Sequence, residues 1–165
     1  QNARSAGASA MGIEALSVLR AEKGFLYVGQ DTDGTLTPDD AAVAWTIGKA
    51  KPDFVGKRSL QRPDLLKPDR KQLVGLLTID PGVVLEEGAQ IVADPKQPVP
   101  MTMLGHVTSS YWSETLGRSI ALAVVAGGRA RKGETVHVPM PGGVAYAAEV
   151  TGTVFCDPEN KRLEA

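Results

Sequence analysis

The chain has 165 residues, 42% of them hydrophobic and 22% charged, with a formal net charge of −1. This size and apolar share support one ordinary domain or two small ones with a buried core. The even scatter of Lys and Arg among acids argues against a nucleic-acid or anionic-lipid surface, which would carry a basic excess. The longest apolar run, Ile120 to Ala126, falls far short of the ~20 residues of a spanning helix. Gln1 to Gly7 also lacks the apolar core of a signal peptide, so the sequence implies a cytoplasmic protein with no membrane partner.

Residues 1–11, small and polar, read as a flexible lead-in. A helix follows. At about 3.6 residues per turn, Ile13, Leu16 and Leu19 form one apolar stripe, Glu22 continues its edge, and Gly24 ends it. The last turn of a helix carries partial negative charge, so a carboxylate there costs about 0.3–1 kcal/mol. Val18, four residues earlier, offers no compensating cation. Glu22 is then either a screened surface acid steadied by Lys23 or a residue placed for what it binds. Phe25 to Val28, bracketed by Gly24 and Gly29, reads as a short strand, and Gln30 to Asp40 as a polar loop. Val43, Trp45 and Ile47 alternate with Ala44 and Thr46 as a half-buried strand does. Asp53 can cap a helix starting near Phe54 or Val55 and limited by Pro63. Residues 12–66 are therefore expected to form an α+β segment.

Gln61 to Arg70 is dense in proline and charge, as an exposed connector is. Beyond it, residues 71–165 hold six short apolar segments: Gln72 to Ile79, Gln90 to Ala93, Met103 to Thr108, Ser119 to Val125, Thr135 to Val138 and Val144 to Phe155. Asp80-Pro81-Gly82, Asp94-Pro95, Gly127-Gly128 and Pro141-Gly142-Gly143 supply turns between them. Strands at this spacing predict a small antiparallel β-barrel or sandwich.

Several motifs fail on inspection. Gly24 to Gly29 has the glycine spacing of a phosphate loop, but Gln30-Asp31 stands where Lys and Ser or Thr are needed. Asp31-Thr32-Asp33 opens like a calcium loop, yet Leu36 occupies the obligatory glycine position and Ala42 that of the bidentate Glu. Asp31, Asp33 and Gly34 read instead as an Asx-type turn. His106 with Ser109 and Ser110 invites a nucleophile reading, but neighbours on one strand rarely face each other as a nucleophile and base must, and no strand-turn-helix elbow frames a serine. Tyr111 and Trp112 either line a pocket or pack at a strand end. Cys156 is the only cysteine, which rules out an internal disulfide. With His106 and His137 isolated, there is no metal-ligand spacing either.

Leu19-Arg20-Ala21-Glu22-Lys23-Gly24, Val28-Gly29-Gln30-Asp31-Thr32-Asp33, Ala44-Trp45-Thr46-Ile47-Gly48-Lys49, Asp53-Phe54-Val55-Gly56-Lys57, Gly105-His106-Val107-Thr108-Ser109 and Leu116-Gly117-Arg118-Ser119-Ile120-Ala121-Leu122 follow one another in a familiar order. Over nearly the whole chain they resemble the aminomethyltransferase (glycine cleavage T-protein) family. Within it they look most like the branch forming the C-terminal folate-binding region of the alpha subunits of heterotetrameric sarcosine oxidases. The resemblance implies a partial folate-binding segment at 12–66, followed by a C-terminal β-barrel domain at 71–165. It implies that Glu22 grips the pterin of tetrahydrofolate, a role its two acceptor oxygens suit. Lys51 stands about where relatives place an arginine near the folate tail. A lysine meets a carboxylate there as a point charge without the bidentate fork, and a solvated surface lysine is the alternative. The family's acidic residue beside the reacting folate nitrogens has no counterpart among the matched positions, so a half-site is expected. Flavin and NAD would belong to other segments or subunits of a hetero-oligomer, since no G-x-G-x-x-G opens a βαβ unit here. Two other readings stay open: a structural module without ligand affinity, and a glycine-cleavage-type aminomethyltransferase.

Overall fold

The structure, a computed structural model, describes residue 5 and residues 7–163. Among the described residues the elements are α1 (Ile13–Glu22), then β1 (Lys71–Thr78), β2 (Gln90–Ile91), β3 (Gly105–Ser113), β4 (Arg118–Ala126), β5 (Thr135–Met140) and β6 (Val144–Thr151), with four short 3₁₀ turns. The apolar segments read from the sequence after residue 70 each contribute a strand. They pair antiparallel in the order β2-β3-β4-β1-β6-β5. The two edges then meet: Val92, just past β2, and His137 of β5 exchange both backbone hydrogen bonds at 2.9 Å. The sheet closes into a barrel, and closure removes the unpaired strand edges that an open sheet would expose. The fold is α+β with an antiparallel barrel, as expected.

Strand side chains alternate between two faces, and the core follows that alternation. Val74 and Leu76 of β1, Val107 of β3, Ala121, Ala123 and Val125 of β4, Val136 and Val138 of β5 and Ala148 and Val150 of β6 fill the interior with Ile91 and Leu85. Leu73, Leu122 and Val124 point outward, yet they too are buried, under Leu26, Leu36 and Phe155. From Ile120 to Ala126, β4 is a continuous apolar run because both of its faces are covered. At Gly105, β3 lies so close to β4 that a Cβ would stand 1.8 Å from the Val124 carbonyl oxygen, which excludes any other residue.

α1 lies against β3 and β4. It ends in a Schellman motif. Gly24 N–H donates to the Ala21 carbonyl at 3.0 Å and Phe25 N–H to the Arg20 carbonyl at 2.8 Å. Gly24 itself takes φ 72°, in the left-handed region. The Glu22 carbonyl accepts from the Phe155 and Cys156 N–H groups at 2.9 Å each; without them it would be an orphan of the last turn.

Four sequence expectations are corrected. The Ile13, Leu16, Leu19 stripe is the exposed side of α1, at 81%, 52% and 48%. The helix instead turns Ser17, Val18, Ala21 and Glu22 inward, where small residues permit close approach. No strand forms over Phe25 to Val28, where only a single Val28–Thr32 bridge is present, nor over Val43 to Ile47, which is a 3₁₀ turn at Ala44–Thr46 with Trp45 80% exposed. Both segments are apolar enough for a strand, but a closed barrel offers no edge to pair with. The helix expected after Asp53 is replaced by turns and a 3₁₀ turn at Ser59–Gln61, because Gly56 adopts φ 94° and interrupts the αR run. Among the described residues, no helix is long and apolar enough to cross a membrane.

Candidate functional site

Glu22 is 4% exposed, on the last turn of α1 facing the barrel wall. An ionisable side chain at such a depth needs a partner. Ser113 of β3 supplies one, its hydroxyl donating to Oε1 at 2.6 Å, while the same Ser113 oxygen accepts the Leu116 N–H at 3.0 Å. Oε2 takes no hydrogen bond from any described residue. Beside Glu22 lies a mainly apolar cavity of about 360 Å³, lined by Leu16, Leu19, Arg20, Lys23, Phe25 and the Cys156–Asp157 segment, with Arg162 at the same wall. Lys23 spans that wall by donating to the backbone oxygen and, at 3.1 Å, to the carboxylate of Asp157.

Arg20, two residues before Glu22 on α1, is held by a buried network. Asp31 is 1% exposed. Its Oδ2 pairs with Arg20 Nη1 and accepts the Tyr27 N–H at 2.8 Å, while Oδ1 accepts the hydroxyls of both Thr108 and Ser109 at 2.6 Å. Arg20 Nη2 donates to Ser109 Oγ at 2.7 Å. The guanidinium lies 5.8 Å from the Tyr27 ring centre and 5.7 Å from that of Tyr111, within reach of the negative ring faces. Consecutive strand residues normally point to opposite faces. Thr108 and Ser109 reach one oxygen because β3 bulges there, Val107 pairing with Ala123 and Ser109 with Leu122 so that Thr108 is the extra residue. After the bulge, Ser109, Tyr111 and Ser113 share the outer face, forming a row of hydroxyls under α1 and the 25–31 loop.

The structure thus gathers Arg20, Asp31, Ser109 and Ser113 around Glu22's helix end, a set the sequence did not point to. The available signal was the polar Thr108-Ser109-Ser110 run inside an otherwise apolar barrel strand. Asp31 departs from the Asx-turn reading, its carboxylate being taken by Arg20, Tyr27, Thr108 and Ser109. Asp33 does form that turn, accepting from Thr35 N–H at 2.7 Å and Thr35 Oγ1 at 2.6 Å, and these bonds hold its carboxyl below the ordinary range. Lys51 is exposed on a turn, its stem beside Gly48, and is not among the residues lining the Glu22 cavity. His106 borders a separate small cavity with Asp31, Asp33 and Thr108. Burial, then the charge of Lys71, lowers its pKa, with Asp33 opposing. Tyr111 packs within the Arg20 network, and Trp112 is exposed. Cys156 is half-buried, past β6 rather than within a strand.

The closed barrel, with a helix-bearing segment laid over its outer wall, defines the class: residues 71–157 match the Glycine cleavage T-protein C-terminal barrel domain, and residues 1–51 match the GCVT N-terminal domain. The chain belongs to the glycine cleavage T-protein family. It is 49% identical over 155 residues to the sarcosine oxidase subunit alpha of Corynebacterium sp. (strain P-1), covering 93% of this chain and 16% of that protein. The aminomethyltransferase of Nitrosomonas eutropha is 40% identical over 139 residues, covering 84% of this chain and 36% of the relative. The crystal structure of the glycine cleavage system aminomethyltransferase T from Bartonella henselae superposes with a TM-score of 0.74 at 25% identity, over 90% of this chain and 40% of that one. The chain therefore spans only about a sixth to two fifths of the length of these proteins.

Proposed function

We propose that this chain is the C-terminal segment of a sarcosine oxidase alpha subunit and that it holds tetrahydrofolate through Glu22, assisting transfer of the one-carbon unit of oxidised sarcosine to form 5,10-methylenetetrahydrofolate. The observation that carries this reading is Glu22 itself: a buried carboxylate with one oxygen fixed by Ser113 and the other unclaimed by any described residue, bordering an apolar cavity. A pterin edge offers adjacent amino and ring N–H donors that a carboxylate accepts in parallel, and Leu16, Leu19 and Phe25 suit the faces of a flat ring. The cavity lies at the small end of the ~300–1,000 Å³ usual for ligand sites, enough for the ring. The folate tail is assigned to the exposed Lys51, meeting its carboxylate as a point charge.

Bound tetrahydrofolate supplies the nitrogen pair that receives the one-carbon unit. The chain's part is to orient: Glu22 fixes the polar edge of the ring, and the apolar wall excludes water from its faces. Flavin and NAD are assigned to other segments or subunits of a cytoplasmic hetero-oligomer. The higher identity to the sarcosine oxidase alpha subunit than to the aminomethyltransferase, 49% against 40%, favours the oxidase branch.

The test is Glu22→Gln in the complete subunit. Hydrogen bonds to a charged group are worth ~1.5–3 kcal/mol, so calorimetry should show tetrahydrofolate affinity falling by about ten- to a hundredfold. Sarcosine oxidation measured without folate should be unchanged, and the melting temperature should stay level or rise slightly, since an unfavourable charge leaves the helix C-terminus. Normal folate affinity in a protein that melts several degrees lower would make Glu22 a structural residue and end this reading.

A further inference from the structure

Ser113 ends β3 at the base of the hairpin to β4 and is fully buried. Its oxygen already accepts the Leu116 N–H at 3.0 Å. A backbone N–H can only donate, so the single hydroxyl proton is directed at Glu22 Oε1, 2.6 Å away. The Glu22 carboxylate is thereby tied at one oxygen to the barrel wall. Its backbone is tied at the other end by the Phe155 and Cys156 N–H groups. A glutamate has three side-chain torsions to restrict, and ordering such a chain costs rotamer entropy. Wherever that cost is met in the folded protein, it is not charged to ligand binding.

We propose that Ser113 is a positioning residue of the pterin site. It holds the Glu22 carboxylate in one plane before the ligand arrives, leaving Oε2 and the second lone pair of Oε1 for two adjacent N–H donors. This rests on the reading of Glu22 as the pterin acceptor. The ligand class it selects is a flat heterocycle with an amidine-like edge, two neighbouring N–H groups in one plane. Ser113 touches no ligand and acts only through Glu22.

The experiment is a thermodynamic cycle on the complete subunit, with tetrahydrofolate affinity measured by calorimetry for wild type, Ser113→Ala, Glu22→Ala and the double variant, and thermal melts run alongside. Ser113→Ala should weaken binding about five- to tenfold when Glu22 is present, since one charge-assisted hydrogen bond is lost. In the Glu22→Ala background it should change affinity by less than about twofold, because a positioning residue has nothing left to position. A Ser113 that only supports the hairpin would weaken binding by the same factor in both backgrounds, or in neither, and either result overturns the proposal. If Glu22→Ala itself leaves affinity intact, the pterin reading fails instead. Should Ser113→Ala not fold, Ser113→Cys, nearly isosteric and a weak donor, takes its place under the same criteria.

Discussion

Asp31 collects four donors, from Arg20, Tyr27, Thr108 and Ser109, on a side chain with no exposed surface, and Arg20 opposite it is 9% exposed. Desolvating two charges costs free energy comparable to what their attraction returns, so such a pair adds little net stability while intact. Removing one partner leaves the other charged, buried and alone, which costs about 3–5 kcal/mol. Asp31→Ala should therefore lower the unfolding free energy by about that amount in urea titrations. Asp39 pairs with Arg129 at 2.5 Å, but both are substantially exposed, and Asp39→Ala should cost under about 1 kcal/mol. Equal losses for the two variants would contradict the burial described here. At this scale the sequence was legible only in part. Glu22 stood out because helix electrostatics disfavour an acid at its position. Asp31 and Ser113 did not, because the bonds of Thr108 and Ser109 to Asp31 and of Ser113 to Glu22 join residues 77 to 91 positions apart, and the first two depend on a bulge that the spacing of β3 does not announce.

The elements of the barrel were legible because apolar runs separated by turn residues are what a closed sheet needs, and each ladder is satisfied within the sheet. The segment before Lys71 was less so. Its apolar stretches resemble strands, but they are consumed as caps on the outer wall, Leu26 and Leu36 covering Leu73, Leu122 and Val124. α1 reverses the expected face because it docks through small residues and Glu22 rather than through its leucines. What ties this segment to β1 is ionic as well as apolar. Asp40 Oδ2 accepts from Arg70 Nε and Nη2 at 2.9 and 2.6 Å, and from Thr37 N–H and Oγ1 at 2.9 and 2.8 Å. Burial alone would raise the Asp40 carboxyl. The bonds from Arg70, then those from Thr37, outweigh it and hold the pKa below the ordinary 3.8. A carboxyl depressed in the folded state stabilises above its unfolded value and loses that contribution as pH falls through the folded one. His106, lowered from 6.5, adds an earlier limb. The unfolded chain takes up that proton first, so stability begins to fall as pH drops through the ordinary histidine range. Thermal melts should show both limbs, and Asp40→Asn should flatten only the more acidic one. An acid limb unchanged in Asp40→Asn would show that the Arg70 tie does not carry it.

For the whole molecule, the barrel interior and the candidate site are separate constructions on the two faces of one sheet. The interior stabilises the fold. The outer face of β3, shifted by its bulge, carries the hydroxyl row that fixes Arg20, Asp31 and Glu22. The cavity beside Glu22 is bounded by Leu16, Leu19 and Phe25, all partly or largely exposed, so the described residues form an open wall and not a full enclosure. The half-site proposed above would take its remaining walls from other segments of a longer subunit. The most direct test of the account is a crystal structure of the complete subunit with a stable reduced folate bound. The account predicts the pterin amino and ring N–H groups within hydrogen-bond distance, about 2.7–3.2 Å, of the Glu22 carboxylate, with Ser113 still donating to Oε1. A folate bound elsewhere, with Glu22 engaged by Ser113 alone, would contradict it.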